Sequence, residues 1–396
     1  MLLRSIASSF SYLPSSSRLG RWQPLFAVDN RTSASATLLS RIQEFSAPNS
    51  VPAFADGILG KQDAAELDRG KSYLLFLGTG TSEGIPRVSC LTNLETKCPV
   101  CWSAVEIGSK NRRRNTSILI RMSTASGMRN ILIDAGKFFY HSALQWFPCF
   151  GVRDLDAVIL THSHADAIGG LDDLRDWTNN VQDVVPVYVA KRDFEVMRKT
   201  HYYLVDTSVV VEGAAVSELQ FHIITEQSFF VHGLKVIPLP VWHGPGYRSL
   251  GYRFGNICYI SDVSEIPEET YPLLKNCELL ILDALRPDRS SATHFGLPQA
   301  LEEVRKIRPK KTLFTGMMHT MDHEVMNTEL AKLLTSEGLD IQLSYDGLQI
   351  PIDLQTDHFN DNNPPPSFFN VSKRQLFGRK PEAHGVITSE VTEQRL

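Results

Sequence analysis

Along the middle of the chain, short apolar runs of four to six residues recur between clusters of turn-forming residues. Tyr73–Leu77, Ile118–Arg121, Ile131–Asp134, Ala157–Thr161 and Val185–Ala190 come first; Leu234–Pro238, Ile257–Ser261, Leu279–Asp283 and Thr312–Thr315 follow. Their length and β-branched content predict strands. Between them the period changes. Leu297, Leu301 and Val304 fall at i, i+4 and i+7, as do Met326, Leu330 and Leu333, which predicts amphipathic helices. The alternation predicts one α/β layered domain over 72–353, with helices covering both sides of the sheets. No internal repeat is present.

The flanks differ from this segment. The first 28 of the 396 residues hold no Asp or Glu, but hold Arg4, Arg18, Arg21 and seven serines. That composition predicts a transit peptide, with a linker, over 1–70. The destination would be the mitochondrion or the chloroplast, or the cytoplasm if the N-terminus is not cleaved. An ordinary disordered N-terminus is the plainer alternative. The tail 355–396, with Asp361-Asn-Asn-Pro-Pro-Pro366, has little to bury and is expected to be disordered. The net charge of −4 gives no bulk argument for nucleic acid. No apolar run is long enough to predict a membrane span.

Candidate ligands stand where the predicted strands end. Asp134 closes Asn-Ile-Leu-Ile-Asp. His162, His164 and Asp166 follow the Ala157 run as His-x-His-x-Asp. His243 follows Val236-Ile-Pro-Leu-Pro-Val-Trp, Asp262 closes Ile257-Cys-Tyr-Ile-Ser-Asp, and His319 follows the Thr312 run. A bare His-x-His is weak evidence for a metal, because two histidines on one strand face can simply be solvated. An ordered set at strand ends is stronger, since such ends converge on one edge of a sheet. Three of six cysteines crowd at Cys90, Cys98 and Cys101, a pattern that suits metal ligation or a reduced surface cluster. Cys149, Cys258 and Cys277 read as buried small hydrophobes. Asp134 reads equally as a residue orienting a liganding histidine or as a helix N-cap. Arg112–Arg114 is a candidate to hold a phosphate, but reads more readily as a solvated basic turn.

The ordered set resembles the metallo-β-lactamase superfamily of hydrolases. The resemblance covers essentially all of 72–353. It includes Phe76-Leu-Gly-Thr-Gly-Thr-Ser-Glu-Gly84, Asn111-Arg-Arg-Arg-Asn-Thr-Ser117 and Thr315-Gly-Met-Met-His-Thr-Met-Asp-His323. The opening glycines give G-x-G-x-x-x-G, one residue too long for a dinucleotide fingerprint. The added cysteine cluster is similar to the PhnP-like branch, named for phosphoribosyl cyclic phosphodiesterases. The resemblance implies a four-layer αββα sandwich. It implies a first metal site of His162, His164 and His243, suited to zinc. A second site would use Asp166, the bridging Asp262 and His319. The superfamily has a further histidine where this chain has Ala167, which weakens that site and tilts it toward manganese. Ala167→His is expected to strengthen it if the surrounding space is open. A structural zinc would take Cys90, Cys98, Cys101 and His323. Asp134 would stand behind a liganding histidine. His294 would contact phosphate and donate a proton, with Arg286 and Arg175 as further anion contacts.

The implied activity is metal-dependent hydrolysis of a small or cyclic phosphodiester by hydroxide generated on the metal, with Asp166, Asp262 and His294 as catalytic groups. No membrane or nucleic-acid partner is expected, and a homodimer is compatible with the sequence. Three alternatives stand beside this. A thiolester or lactone hydrolase uses the same scaffold. A tRNA-3′-processing nuclease would need an extended basic arm, and only Arg112–Arg114 is strongly basic. A non-catalytic metal-binding scaffold would explain Ala167, though not the other ligands.

Overall fold

The computed structural model describes residues 71–93, 95–206 and 215–354. The transit-peptide, linker and tail expectations lie outside the described residues. Among the described residues, fourteen strands form two seven-stranded sheets. The first contains β1 (Tyr73–Gly78), β2 (Ser117–Thr124), β3 (Gly127–Ile133), β4 (Ala157–Ile159), β5 (Val185–Ala190) and β6 (Leu219–Ile224), with β14 (Gln349–Pro351) beside β1. The second runs from β7 (Phe229–Val231) through β8 (Leu234–Trp242), β9 (Arg248–Phe254), β10 (Ile257–Ile260), β11 (Leu279–Asp283) and β12 (Lys311–Thr315) to β13 (Ile341–Leu343). Both sheets are mixed. Pairing is antiparallel over β1–β2–β3 and β7–β8–β9–β10, and parallel over β3–β4–β5–β6 and β10–β11–β12–β13.

Strand periodicity explains the four layers. Successive side chains of β1 point to opposite faces, so Leu74 and Phe76 meet the second sheet while Tyr73, Leu75 and Leu77 meet the helix Phe139–Phe150. β10 does the same from the other side. Ile257 and Tyr259 enter the core between the sheets; Cys258 and Ile260 pack outward with the helices Leu297–Ile307 and His323–Glu337. Three cores between four layers make the αββα sandwich. Strands buried on both faces read as continuous apolar runs, which is why the sequence pattern displays them. β9 was not among the predicted runs, because Arg248 and Arg253 interrupt it. Both guanidiniums turn outward, Arg248 to Glu226 and Glu269, Arg253 to the carbonyls of Leu273 and Lys275.

Arg112–Arg114 is a correction to the expected solvated turn. Arg113 is completely buried, between Asn111 Oδ1 and the Met318 carbonyl. Arg114 donates its backbone N–H to Asp346 Oδ2 at 2.8 Å, and Arg112 caps the Ala104 carbonyl at 2.9 Å. The run bolts the cysteine-bearing arm to the sheet edge, because a buried guanidinium needs acceptors and carboxylates around it.

Candidate metal centre

The strand ends converge. β3 and β4 are parallel, with Ile133 beside Ile159, so Asp134 emerges next to the His-x-His loop. β10 and β11 are parallel with Ile260 beside Leu282, which brings Asp262 and Asp283 out at the same edge of the other sheet. Two hydrogen bonds join the sheets there. Leu250 donates its N–H to the Thr161 carbonyl at 3.0 Å and Tyr252 its hydroxyl to the Leu160 carbonyl at 2.6 Å.

His162, His164 and His243 each offer one ring nitrogen to a common point. The tautomers follow from the partners. Thr161 Oγ1 donates to Asp134 Oδ2 at 2.7 Å, so it accepts from His162 Nδ1 at 2.8 Å. This leaves His162 Nε2, buried and without a hydrogen-bond partner, as the atom that would take a second proton or a metal. His243 Nδ1 donates to the Thr293 carbonyl at 2.7 Å, which leaves its Nε2 facing His164 Nδ1 at 3.1 Å. Asp262 Oδ2 lies 3.7 Å from His162 Nε2, 3.7 Å from His243 Nε2 and 3.9 Å from His294 Nε2. Burial opposes a charge on His162, yet Asp166, Asp262 and Asp134 raise its pKa to about 9. A field that holds a proton so firmly would hold a divalent cation. Three inward nitrogens and one carboxylate, with an orphaned buried Nε2, fit zinc. His164 is the exposed member, so the centre opens on its side.

Asp134 therefore acts through Thr161 rather than directly on the imidazole. It caps no helix, since the next one begins at Phe139. Asp166 lies 3.6 Å from His162 Nε2. Ala167 is 1% exposed and its carbonyl accepts from Ala135 N–H at 2.7 Å, so the space around it is closed. The condition attached to Ala167→His is not met.

Two histidines are placed otherwise than the resemblance implied. His319 was expected beside Asp166 and Asp262. Instead its Nδ1 lies 3.3 Å from Cys90 Sγ and 3.4 Å from Cys98 Sγ, and it completes a four-residue group with Cys101. His323 was expected there; it turns away, with Nε2 3.0 Å from Asn327 Nδ2 and its ring against Tyr345. Four residues on a helix span about one turn, whereas His319 precedes the helix that His323 opens, so the two side chains diverge. The cysteine arm has its own small core of Ile85, Val100, Cys101 and Ala104. Burial pushes the Cys101 thiol up to about 12, and the neighbouring Cys90 and Cys98 push the same way. Three crowded thiols call for a cation, so this group fits a structural zinc. Arg87, which the sequence did not single out, reaches the other side of the same ring, with Nη1 2.8 Å from His319 Nε2.

His294 joins the centre with His243 and Asp262. Its Nδ1 donates to Asp283 Oδ2 at 2.8 Å. Burial works against its charge, but Asp283 and then Asp262 raise its pKa to about 9. Asp283 closes β11 and was not foreseen as a site residue; its position at a strand end beside the other carboxylates was the available signal. Neither Arg286 nor Arg175 touches these groups. Arg175 is exposed on the helix Leu174–Asn180, and Arg286 Nε is buried without a partner.

The fold and this set of strand-end ligands define an αββα scaffold with a candidate metal centre. A family model described as beta-lactamase superfamily domain matches residues 129–317. The chain carries a metallo-β-lactamase superfamily domain and has the metallo-β-lactamase fold. Among solved structures it is similar to a diphosphatase of the PhnP family, at 29% identity and a TM-score of 0.60, over 72% of this chain and all of that one. Zinc-bound PqqB from Methylobacterium extorquens shares the fold, at 17% identity and a TM-score of 0.52, over 71% of this chain and all of that one. An octanoyltransferase of Porphyromonas gingivalis is 31% identical over 292 residues, 73% of this chain. The chain spans about half of that protein, 54% of its length.

Proposed function

We propose that this protein hydrolyses a small phosphate ester or anhydride through one tightly held divalent metal. The observation that carries this is the arrangement around Asp262, which faces three imidazoles, one of them the Asp283-bound His294. The similar diphosphatase supports a phosphate-directed activity. A zinc or manganese ion held by His162, His164, His243 and Asp262 would acidify water and offset negative charge on the phosphoryl oxygens.

One metal is favoured because the groups share donors. The sets His243–Asp262–His294 and His162–Asp166–Asp262 each reuse a histidine of the three-histidine set. Once that set has taken both Nε2 atoms, Asp166, Asp262 and His294 remain. Those three do not form a group within 4.8 Å. The chain's own residues then divide the work. Asp134 and Thr161 orient His162. Asp283 holds the His294 imidazolium at the centre, where it would donate a proton to the leaving oxygen. The exposed side of His164 admits substrate.

Hydrolysis of bis(p-nitrophenyl) phosphate by protein loaded with zinc or manganese tests this. Metal-dependent turnover that His162→Ala abolishes is expected. Turnover of an acyl thiolester in preference to the phosphodiester would transfer the site to the acyl alternative. No metal-dependent turnover of either would defeat the hydrolytic reading.

A further inference from the structure

Tyr247 stands in the short turn between β8 and β9, four residues after His243. Its ring touches two of the three imidazoles. The ring centre lies 5.2 Å from that of His164, tilted by 31°, and 5.9 Å from that of His243. Both ends of the residue are engaged. Its carbonyl accepts from the His243 N–H at 2.8 Å. Its hydroxyl reaches toward the first sheet, where Ser163, the residue between His162 and His164, donates its N–H to Tyr247 Oη at 3.1 Å. One residue therefore ties the turn that carries His243 to the loop that carries the other two histidines.

The direction of the hydroxyl proton is determined. Tyr247 Oη donates to Asp193 Oδ1 at 2.7 Å, because a carboxylate accepts and a phenol has one proton. Oη is then the acceptor for both the N–H and the Oγ of Ser163, the latter at 3.1 Å. Asp193 is itself fixed. β4 and β5 are parallel with Ile159 beside Tyr188, so the helix Lys191–Thr200, which follows β5 directly, opens next to the loop that leaves β4. Asp193 lies in the first turn of that helix and is 1% exposed, where unpaired N–H groups favour a carboxylate. Its Oδ2 accepts from Arg192 Nη2 at 2.9 Å.

The three imidazoles are held by different means. Thr161 Oγ1 and the Thr293 carbonyl orient His162 and His243 through Nδ1. His164 turns its Nδ1 inward, 3.1 Å from His243 Nε2, and is the exposed member. Its placement depends on the course of its loop and on the ring beside it, and Tyr247 supplies a contact to each.

We propose that Tyr247, held by Asp193, is a positioning residue for the metal centre: it sets the His162–His164 loop against His243 and so determines how closely the three imidazoles gather on one ion. This rests on the reading of that centre as a metal site. Tyr247→Phe removes one oxygen and keeps the ring. Zinc affinity at the centre of the folded full chain, measured by competition with a chromophoric chelator, should fall by about 10–100-fold. The ligand-field absorption of cobalt exchanged into the centre should change as well. Tyr202→Phe, which removes a hydroxyl from an exposed tyrosine, should match wild type in both measurements. A residue serving folding alone would lower the unfolding midpoint and leave affinity and absorption of the folded protein as they were. That result in Tyr247→Phe would overturn the proposal while leaving the metal site standing. Wild type that takes up no more zinc than His162→Ala would instead remove the metal site, and the proposal with it.

Discussion

Asp283 Oδ2 accepts from His294 Nδ1 at 2.8 Å, in a pair whose carboxylate is wholly buried and whose imidazole reaches the centre. The pair determines the protonation of His294. Burial alone would lower the imidazole pKa; Asp283 and Asp262 raise it to about 9. The protonated, donating form therefore persists below about pH 9 and is lost above it. In Asp283→Asn the anion is gone, so the pKa falls and the alkaline limb of kcat moves to lower pH by about one unit or more. A pH–rate profile of the variant checks this. His294→Ala should lower kcat by about 10²–10⁴ and remove the limb altogether.

His319 and His323 make opposite predictions for metal content. His319→Ala and Cys98→Ala should each lose one metal equivalent by mass spectrometry. His323→Gln should keep the wild-type stoichiometry, since its ring faces Asn327 and Tyr345. Loss of metal in His323→Gln with none in His319→Ala would restore the assignment that the resemblance implied.

Thr161 relays Asp134 to His162. Thr161→Val keeps the shape but removes the hydroxyl that accepts from Nδ1, so the ring is no longer held in the tautomer with a free Nε2. Metal affinity at the centre should fall by about 10–100-fold. Competition with a chromophoric chelator measures it. An unchanged affinity would mean that Asp134 and Thr161 serve folding alone.

Ala167→His should destabilise rather than create a ligand. The site is 1% exposed and packs in the core beneath the loop. Extra atoms there should cost about 1–3 kcal/mol by denaturant titration. Active-site metal stoichiometry should not rise; a gained equivalent would show that the loop opens to admit an imidazole.

Much of this molecule was legible in the chain. The doubly buried strands announce themselves as apolar runs, and His162, His164, His243 and Asp262 announce themselves as strand ends. β9 was hidden because its arginines snorkel outward while its other residues pack. Asp283 was hidden because a carboxylate closing a strand looks the same whether it serves a fold or an imidazole.

The sequence by itself determined the layered α/β class, the superfamily and the three-histidine set. These depend on local pattern: side-chain alternation in strands, and ligands that stand directly after recognisable strands, His162 and His164 after one and His243 after another. Only the tertiary structure decided which of His294, His319 and His323 goes where. They come from one stretch of 30 residues with no shared periodicity. Their partners are Asp283, Cys90 and Asn327, which lie on three different elements. Distances between such elements depend on how sheets and helices pack, and no sequence spacing encodes that.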